Sequence, residues 1–251
     1  MKINYSCPIC KDKAVLRDVV DFNRNCEGII DEQFPVLGKA VYYAKCKSCD
    51  LIYAPEFSNW SHEDFAREIY NEKYSLIDPD YLIDRPKRNK ILINNIFMNG
   101  KTEIKHLDYG GGNGSLSELL KSDGWDSTSF DPFSESENQK INSDEKFNLI
   151  TAFEVFEHVA DPNELINDIS RFASDNCLIF FSTGIHDNQI TSEKRLDWWY
   201  VAPRNGHITI YSHKSLQILA NKHGLKFGSM GSSFHCYWNN FPSWATSLYS
   251  A

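Results

Sequence analysis

Four of the seven cysteines form two pairs in which two residues separate the thiols: Cys7 and Cys10, and Cys46 and Cys49. Because a two-residue gap lets a tight turn direct both sulfurs toward one tetrahedral ion, two such pairs predict a four-thiolate zinc site. A redox role is the alternative, but a thioredoxin-like pair occurs once and opens a helix, and neither condition is met here. We therefore predict structural Zn²⁺ at these four positions.

The two pairs define a small N-terminal β module, residues 1–60, in which a metal supplements a core too small to hold the fold alone. Two β-like stretches, 14–22 and 39–44, separate the pairs. Eight Lys and Arg residues in the module are balanced by eight Asp and Glu residues, so it lacks the basic surface of a nucleic-acid binder. The other cysteines, Cys26, Cys177 and Cys236, are predicted to be small buried hydrophobes.

A glycine-rich stretch in the middle of the chain has the order strand, loop, helix. Residues 103–108 predict a short strand, residues 109–114 (YGGGNG) a turn, and residues 115–120 the start of an amphipathic helix. Glycines permit positive φ and the close approach of a ligand, and a helix N-terminus offers unpaired N–H groups. Asp131, about 20 residues further on, is placed to accept both hydroxyls of an adenosine ribose. The pattern predicts nucleotide-binding βα units.

The glycine spacing distinguishes between nucleotides. In a dinucleotide fold the sixth position of GxGxxG, counted from Gly110, is Gly or Ala, but here it is Ser115. The alternating glycines after Leu107 and Asp108 (LDYGGGNG) resemble motif I of class I S-adenosylmethionine-dependent methyltransferases. Downstream, residues 147–153 look like strand four of that family, and residues 154–162 (EVFEHVADP) are similar to the signature of its ubiquinone-type branch.

This resemblance covers about residues 81–238 and implies an α/β fold: a Rossmann-like class I methyltransferase sheet with a small N-terminal zinc-binding β module. We divide the chain into the module (1–60), a connector and leading helix (61–100), and the methyltransferase domain (101–251). Residues 134–146 are too few for the helix and third strand that the family has there. The acidic residue that ends this third strand in the family and contacts the adenine amine therefore has no full counterpart here, and Asp144 is a weak substitute.

Carried over position by position, the resemblance implies that S-adenosylmethionine (SAM) is held by the glycine loop and by three neighbouring segments. The methionine part would be held by Asp108, Gly110, Gly111, Gly112, Asn113 and Gly114, the ribose by Asp131, the adenine by Pro132 and Phe133, and the floor of the site would be Glu154 and Val155.

Methyl transfer requires the nucleophile, the methyl carbon and the sulfur to be collinear in a dry pocket. An alcohol also benefits from a general base or a metal. His158, His207 and His186 are the candidate bases, and a packing or surface role is the alternative for each. Small-RNA 2′-O-methyltransferases have a similar E-x-x-E-H motif and distant histidine, so Glu154, Glu157, His158 and His207 could hold Mg²⁺ or Mn²⁺. A structural capping role for Glu157 and His158 is the favoured alternative.

Three aromatic residues, Trp198, Trp199 and Tyr200, lie with Arg204 where the family closes a lid over the acceptor. Core packing is the alternative, but three consecutive large side chains cannot all point inward from one element. We expect them to form a wall for the substrate. Arg204 could pair with a phosphate or carboxylate on the acceptor.

The composition excludes several classes of protein. Hydrophobic residues make up 41% and charged residues 24% of the 251 positions, as in ordinary globular proteins. The longest apolar runs are shorter than the ~20 residues of a membrane span, and the N-terminus has no apolar signal region. We therefore expect a cytoplasmic protein without a membrane partner. The net charge of −8 disfavours nucleic acid as a partner.

A zinc module joined to a class I methyltransferase domain resembles bacterial enzymes that tailor nucleotide-linked sugars and surface polysaccharide precursors. We expect a methyltransferase that acts on an oxygen of a small polar acceptor: a sugar, a nucleotide-linked sugar or a phosphorylated precursor of capsular polysaccharide. A non-catalytic cofactor-binding or assembly protein is the alternative, and RNA methylation is a third hypothesis. The sequence does not indicate the oligomeric state.

Overall fold

The computed structural model describes residues 4–133, 141–142 and 144–249. Its strands are β1 (Asn4–Ser6), β2 (Lys13–Asp21), β3 (Ala40–Cys46), β4 (Ile52–Tyr53), β5 (Lys105–Tyr109), β6 (Asp126–Phe130), β7 (Phe147–Phe153), β8 (Ala173–Ser182), β9 (Thr209–Ile210), β10 (Lys226–Met230) and β11 (Phe234–Trp238). Its α-helices are α1 (His62–Glu68), α2 (Tyr74–Ile77), α3 (Asp84–Phe97), α4 (Ser115–Ser122), α5 (Pro162–Phe172) and α6 (His213–Lys222). Short 3₁₀ segments include Phe156–His158 and Pro203–Asn205.

The chain folds into two compact units, each built from several segments. We call Met1–Pro79, Phe156–Glu164 and Thr183–Lys222 the cysteine unit, and Asp80–Val155, Leu165–Ser182 and His223–Ala251 the sheet unit. These units do not coincide with the three consecutive segments expected from the sequence. The N-terminal residues share a unit with two later segments because β9 adds to their sheet.

The cysteine unit contains a five-stranded antiparallel sheet in the order β1-β2-β3-β4-β9. The β-like stretches predicted at 14–22 and 39–44 correspond to β2 and β3. The core beside this sheet is rich in aromatic and β-branched residues, among them Tyr43, Phe57, Tyr200 and Ile208. The segment around Tyr200 and Ile208 is therefore part of the same core as the N-terminal strands.

The sheet unit contains a six-stranded sheet in the order β10-β11-β8-β7-β5-β6. Strands β6, β5, β7 and β8 are parallel, and the last two strands of the chain are antiparallel to their neighbours. The predicted strands at 103–108 and 147–153 correspond to β5 and β7, and the α/β fold is confirmed. Because the carboxyl ends of parallel strands meet at one edge, the segments that follow β5, β6 and β7 lie along the same edge of this sheet.

Strand β6 is paired with β5 and has no second partner among the described residues. The prediction of a shortened segment after Asp131 falls largely on residues 134–140 and 143, which lie outside the described residues. Asp144 is exposed, and its N–H donates to the Oδ1 atom of Asn142. In the described part of the chain, no helix has both the length and the hydropathy that a bilayer crossing requires.

Candidate functional site

The four cysteines predicted to bind zinc converge in the cysteine unit. The Sγ atoms of Cys7 and Cys49 are 3.5 Å apart, as are those of Cys10 and Cys46, and all four lie within 4.8 Å of one another. A disulfide would require about 2.05 Å, whereas sulfurs that are each ~2.3 Å from one tetrahedral ion are ~3.8 Å apart. The cluster therefore fits a bound metal ion better than a pair of disulfides.

Local hydrogen bonds to the sulfur atoms favour the thiolate form that binds a metal ion. The N–H groups of Ser48 and Cys49 donate to the Sγ atom of Cys46 at 3.4 and 3.5 Å. A hydrogen bond from the thiol of Cys49 lowers the pKa of Cys7 to about 5, whereas burial raises the pKa of Cys10 to about 11. The cluster thus stabilises the thiolate of Cys7 without a metal, whereas the thiol of Cys10 needs a nearby cation to lose its proton at neutral pH.

The glycine loop follows β5, as the sequence predicts. Gly110 has a φ of 73°, and a Cβ atom there would lie 2.5 Å from the Cγ2 atom of Val155. The N–H of Gly112 donates to the Oδ2 atom of Asp131 at 2.9 Å. The structure therefore brings together the loop, the predicted ribose ligand and one of the two predicted floor residues, all within the sheet unit.

The remaining residues of this segment have local roles in the structure. The Oδ1 atom of Asn113 accepts hydrogen bonds from the N–H and the hydroxyl of Ser115, where α4 begins. The Oδ1 atom of Asp131 accepts from the N–H of Phe133, whose ring is exposed, as is Pro132. Their contacts with a cofactor stay predictions.

Asp108 lies buried beneath the glycine loop. Its Oδ1 atom accepts a hydrogen bond from the hydroxyl of Thr151 at 3.0 Å, and its Oδ2 atom lies 2.5 Å from the position of a Cβ on Gly111. Burial raises the pKa of Asp108 to about 7, with a further contribution from the charge of Asp131. The carboxyl group therefore changes its charge in the neutral pH range, where a positively charged ligand would favour ionisation.

Glu154 follows β7 in a left-handed conformation, with a φ of 53°. Ser182 at the end of β8 bonds to it twice: the Ser182 hydroxyl donates to its Oε1 atom at 2.6 Å, and the Glu154 N–H donates to the Ser182 Oγ atom at 2.8 Å. A non-glycine residue in this region of φ costs about 1 kcal/mol or more, and such strain is concentrated at functional sites. The carboxylate is therefore held at the carboxyl edge of the parallel strands.

Glu157, His158 and His207 form a second cluster, which lies in the cysteine unit. One ligand atom from each residue lies within 4.8 Å of the other two, and the two imidazole rings are 5.1 Å apart between centroids. Glu157 and His207 are buried, and His158 is half-buried. Three of the four residues predicted as a mixed oxygen and nitrogen ligand set are thus brought together. Glu154 is not in this group, because its Oε1 atom bonds to Ser182.

Buried hydrogen bonds fix the orientation of this cluster. The hydroxyl of Tyr200 donates to the Oε1 atom of Glu157 at 2.6 Å. The Nδ1 atom of His207 is 2.9 Å from the carbonyl oxygen of Tyr200, and a carbonyl can only accept, so Nδ1 carries the proton. In a ring with its proton on Nδ1, Nε2 is the unprotonated nitrogen, the kind of atom that acts as a base or a metal ligand.

His186 is not part of this cluster, although the sequence predicts it as a candidate base. It is buried, and its Nε2 atom lies 2.8 Å from the carbonyl oxygen of Asp50, next to the second cysteine pair. Its own N–H donates to the carbonyl of Tyr211. The structure thus places His186 where it joins two backbone segments of the cysteine unit.

The predicted aromatic wall divides into different environments. Tyr200 is buried, Trp198 is half-buried, and Trp199 is 60% exposed. Arg204 is also buried: its guanidinium donates to the carbonyl of Ile69 and to the Oδ1 atom of Asn71. A side chain engaged in this way cannot reach an acceptor phosphate without breaking these bonds, so the structure does not support the predicted anion contact.

Sequence reasoning missed two contributors to the histidine cluster. The hydroxyl of Tyr43, on β3, donates to the carbonyl oxygen of His207 at 2.7 Å. Cys26, predicted to be a small buried hydrophobe, is half-buried with its Sγ atom 3.8 Å from the Nδ1 atom of His207. Cys177 and Cys236 are buried as predicted. Nothing in the local sequence around Tyr43 or Cys26 indicates a partner more than 160 positions away.

Comparisons with known proteins agree with this geometry. A family model described as a methyltransferase domain matches residues 81–228. Ubiquinone biosynthesis O-methyltransferase from Colwellia psychrerythraea is 34% identical over 107 residues, which cover 34% of this chain and 44% of that protein. The match therefore spans less than half of the relative's length.

Two solved structures have a similar fold. Mitomycin 7-O-methyltransferase MmcR has a TM-score of 0.51 and 12% identity, with coverage of 71% of this chain and 60% of that one. An O-methyltransferase family protein from Burkholderia thailandensis has a TM-score of 0.51 and 11% identity, with coverage of 73% and 64%. The sheet and glycine loop are those of a class I S-adenosylmethionine-dependent methyltransferase. The chain belongs to the methyltransferase family whose domain model it matches.

Substitution of Gly110 by Ala should abolish tight binding of S-adenosylhomocysteine (SAH). The added methyl group would lie 2.5 Å from Val155, at a φ of 73°. Gly231→Ala is the matched control, because Gly231 has a φ of 74° and no atom within 4 Å of the added carbon. Both variants lose about 1 kcal/mol to the left-handed backbone, but calorimetry should show weaker SAH binding for Gly110→Ala alone. Equal affinities for the two variants would contradict the proposed loop contact.

Substitution of Asp108 by Asn should stabilise the cofactor-free protein above neutral pH. Because burial raises the pKa of this carboxyl from 3.8 to about 7, its contribution to folding is complete below about pH 4 and is lost as the pH rises through 7. In urea titrations we expect the variant to gain roughly 2 kcal/mol or more at pH 8 relative to pH 4. The exposed Asp126→Asn serves as control. A gain that is the same at both pH values would contradict the buried-carboxyl interpretation.

Proposed function

We propose that the protein transfers the methyl group of SAM to a hydroxyl oxygen of a small polar acceptor. The observation that carries this proposal is the cluster of Glu157, His158 and His207, which begins three residues after Glu154 along the chain. An alcohol needs one general base to take its proton, and the cluster offers two imidazoles and a carboxylate for that role. The O-methyltransferase relative also supports oxygen as the acceptor atom.

The chemistry requires one proton acceptor and an in-line approach. The acceptor oxygen attacks the methyl carbon, the carbon–sulfur bond breaks, and the sulfur leaves as the neutral thioether of SAH. The hydroxyl proton passes to the Nε2 atom of His207, whose Nδ1 proton is held by the Tyr200 carbonyl. His158 is the second candidate for this role. Tyr200 also holds Glu157 by its hydroxyl, so the carboxylate is oriented toward the two imidazoles.

The same three side chains would suit a divalent ion. Glu157, His158 and His207 offer one carboxylate oxygen and two imidazole nitrogens, a set used for Mn²⁺, Fe²⁺ and Zn²⁺ as well as Mg²⁺. When bound, such an ion lowers the pKa of a coordinated hydroxyl. The carbonyl of Tyr200 would then act as the outer partner that orients His207 toward it.

At the four-cysteine cluster we propose structural Zn²⁺. The thiol-only ligand set and the short distances between the four sulfurs favour this ion over a harder cation. The cluster belongs to the unit that also contains His158 and His207, so we propose that the ion stabilises this unit.

For the acceptor we propose a sugar, a nucleotide-linked sugar or a phosphorylated precursor of surface polysaccharide. The support is the net charge of −8 and the balanced charge of residues 1–60, which suit a small acceptor better than RNA. We further propose a cytoplasmic location. A non-catalytic cofactor-binding or assembly role is the alternative function.

Incubation with methyl-labelled SAM and a panel of sugar nucleotides and phosphorylated sugars should label at least one acceptor. Cofactor binding without any labelled acceptor would favour the non-catalytic alternative. RNA binding that strengthens steeply at low salt would favour RNA methylation.

With a labelled acceptor in hand, His207→Gln and His158→Gln should lower kcat by about 10²-fold or more, with SAH affinity unchanged, because a general base contributes about 10²–10⁴-fold. His186→Gln is the control, since this buried histidine lies in the same unit but outside the cluster. Equal losses in all three variants would indicate a structural effect rather than loss of the base.

Substitution of Cys49 by Ser should remove the bound zinc and lower Tm, because three thiolates hold the ion less tightly than four. Metal analysis of the wild type should find about one zinc ion per chain in the cysteine cluster. Cys177→Ser is the control, since Cys177 is equally buried but lies in the sheet unit. Zinc retained by Cys49→Ser, or lost by Cys177→Ser, would contradict the assignment.

A further inference from the structure

A chain of buried polar side chains crosses the sheet unit beneath the glycine loop. His106 on β5 is fully buried; its Nδ1 atom lies 2.8 Å from the hydroxyl of Ser127 and its Nε2 atom 2.9 Å from the hydroxyl of Thr151. The Thr151 hydroxyl donates in turn to the Oδ1 atom of Asp108 at 3.0 Å. We call these four residues the polar stripe. Among the buried histidines of the described residues, His106 is the one linked by hydrogen bonds, through Thr151, to Asp108 beneath the predicted cofactor loop.

The register of the strands explains this alignment. His106 and Asp108 are two positions apart on β5, so their side chains share one face. Ser127 on β6 is the register partner of His106, and Thr151 on β7 is the partner of Asp108. Central parallel strands are normally apolar because both of their faces are buried. A buried polar side chain lowers the stability of the fold unless it is hydrogen-bonded, and an apolar side chain at this position would avoid that cost. Stability alone therefore does not explain the histidine at position 106.

The direction of the hydrogen bonds follows from their chemistry. An ionised Asp108 can only accept, so Thr151 uses its proton for Asp108 and accepts from the Nε2–H of His106. Burial lowers the pKa of His106 to about 3, so its ring is neutral. With the proton on Nε2, Nδ1 is an acceptor and lies 2.8 Å from the hydroxyl of Ser127, whose Oγ atom is also hydrogen-bonded to that of Ser117 at 3.1 Å. A neutral imidazole provides the one donor and one acceptor that this position needs.

The opposite oxygen of Asp108 faces the loop. Its Oδ2 atom and the Oγ atom of Ser129 are the two polar atoms closest to the position of a Cβ on Gly111, at 2.5 and 2.3 Å. Ser129 is the register partner of Asp108 on β6, and its buried hydroxyl has no hydrogen-bond partner among the described residues. The loop side of the stripe thus presents a carboxylate oxygen and a hydroxyl that suit an ammonium group.

We propose that His106 is a positioning residue for cofactor binding: through Thr151 it holds the carboxylate of Asp108 so that Oδ2 faces the glycine loop, where it meets the ammonium group of the methionine part of SAM. This role rests on the proposed function, because it requires the loop to bind SAM. Three neighbours of Asp108, namely His106, Thr151 and Ser129, are uncharged. The charged group whose field acts on it is Asp131, after β6.

Two variants of His106 and one control test the proposal. His106→Leu removes both hydrogen bonds, whereas His106→Gln keeps an amide donor for Thr151 and an amide oxygen for Ser127. His235→Leu is the matched control, because His235 is fully buried in β11 of the same sheet and its Nδ1 atom also bonds to a serine, Ser229. A general loss of packing would affect both leucine variants equally.

Calorimetry with SAH, from about pH 5.5 to about pH 8.5, gives the first readout. Affinity should rise with pH as Asp108 ionises, since the ligand ammonium favours the carboxylate. His106→Leu should weaken binding about tenfold at neutral pH, because a less firmly held Asp108 loses part of its charge-assisted hydrogen bond to the ligand ammonium. It should also move the midpoint of the pH dependence upward. His106→Gln should restore both, and His235→Leu should change neither. The same affinity and midpoint in His106→Leu and His235→Leu would overturn the proposal.

Direct titration of the Asp108 carboxyl separates this proposal from the assignment of the cofactor. In protein labelled with ¹³C in aspartate, the signal that disappears in Asp108→Asn reports the pKa without any ligand. A higher pKa in His106→Leu, restored in His106→Gln, supports the positioning of Asp108 even if SAH does not bind, in which case the cofactor assignment fails by itself. An unchanged pKa in His106→Leu would overturn the positioning role whatever SAH does.

Discussion

The pairing of β4 with β9 is the interaction on which the cysteine unit depends. Ile52 lies opposite Ile210, and Tyr53 opposite Thr209, so a strand beside the second cysteine pair joins a strand beside His207. Strands of two residues have no stability of their own and take their position from their surroundings. The turn of Cys46–Cys49 precedes β4. Ile208 precedes β9, and its N–H donates to the carbonyl of Glu157. Backbone hydrogen bonds therefore connect the cysteine turn to the histidine cluster. The hydroxyl of Tyr43 adds a hydrogen bond to the carbonyl of His207.

The features that the sequence predicts well are those encoded within a few residues. The cysteine pairs predict a metal cluster because two-residue spacing fixes the turn, and the LDYGGGNG stretch predicts a strand, a loop and a helix because its apolar, glycine and amphipathic segments follow one another. The candidate ligands Glu157 and His158 are adjacent in the sequence, so their shared location was expected. His207 could be grouped with them only through the family resemblance, and the structure confirms that these three residues lie together.

The features that the sequence does not predict depend on contacts between distant segments. β9 has two residues and no periodicity, so nothing marks it as the fifth strand of an N-terminal sheet, and the division into consecutive segments at 60 and 100 could not anticipate it. In the sequence Arg204 is a candidate anion ligand. In the structure its guanidinium donates to the carbonyl of Ile69, a backbone partner that no sequence pattern indicates. The polar stripe is hidden for a similar reason: a histidine, a threonine and a serine on three strands suggest exposed faces until their register is known.

Two features of the sheet unit lower its stability, and binding of the proposed cofactor would account for both. Glu154 has a positive φ that a glycine would adopt without strain, and Asp108 carries a carboxyl that burial makes hard to ionise. An apolar residue in place of Asp108 would relieve the second cost, and Ser129 would then lose a polar neighbour at the loop. Selection for stability alone would remove both. Both lie at the carboxyl edge of the parallel strands, one after β7 and one at the end of β5. The cationic cofactor proposed for this loop would supply charge stabilisation to Asp108 that the protein alone does not provide.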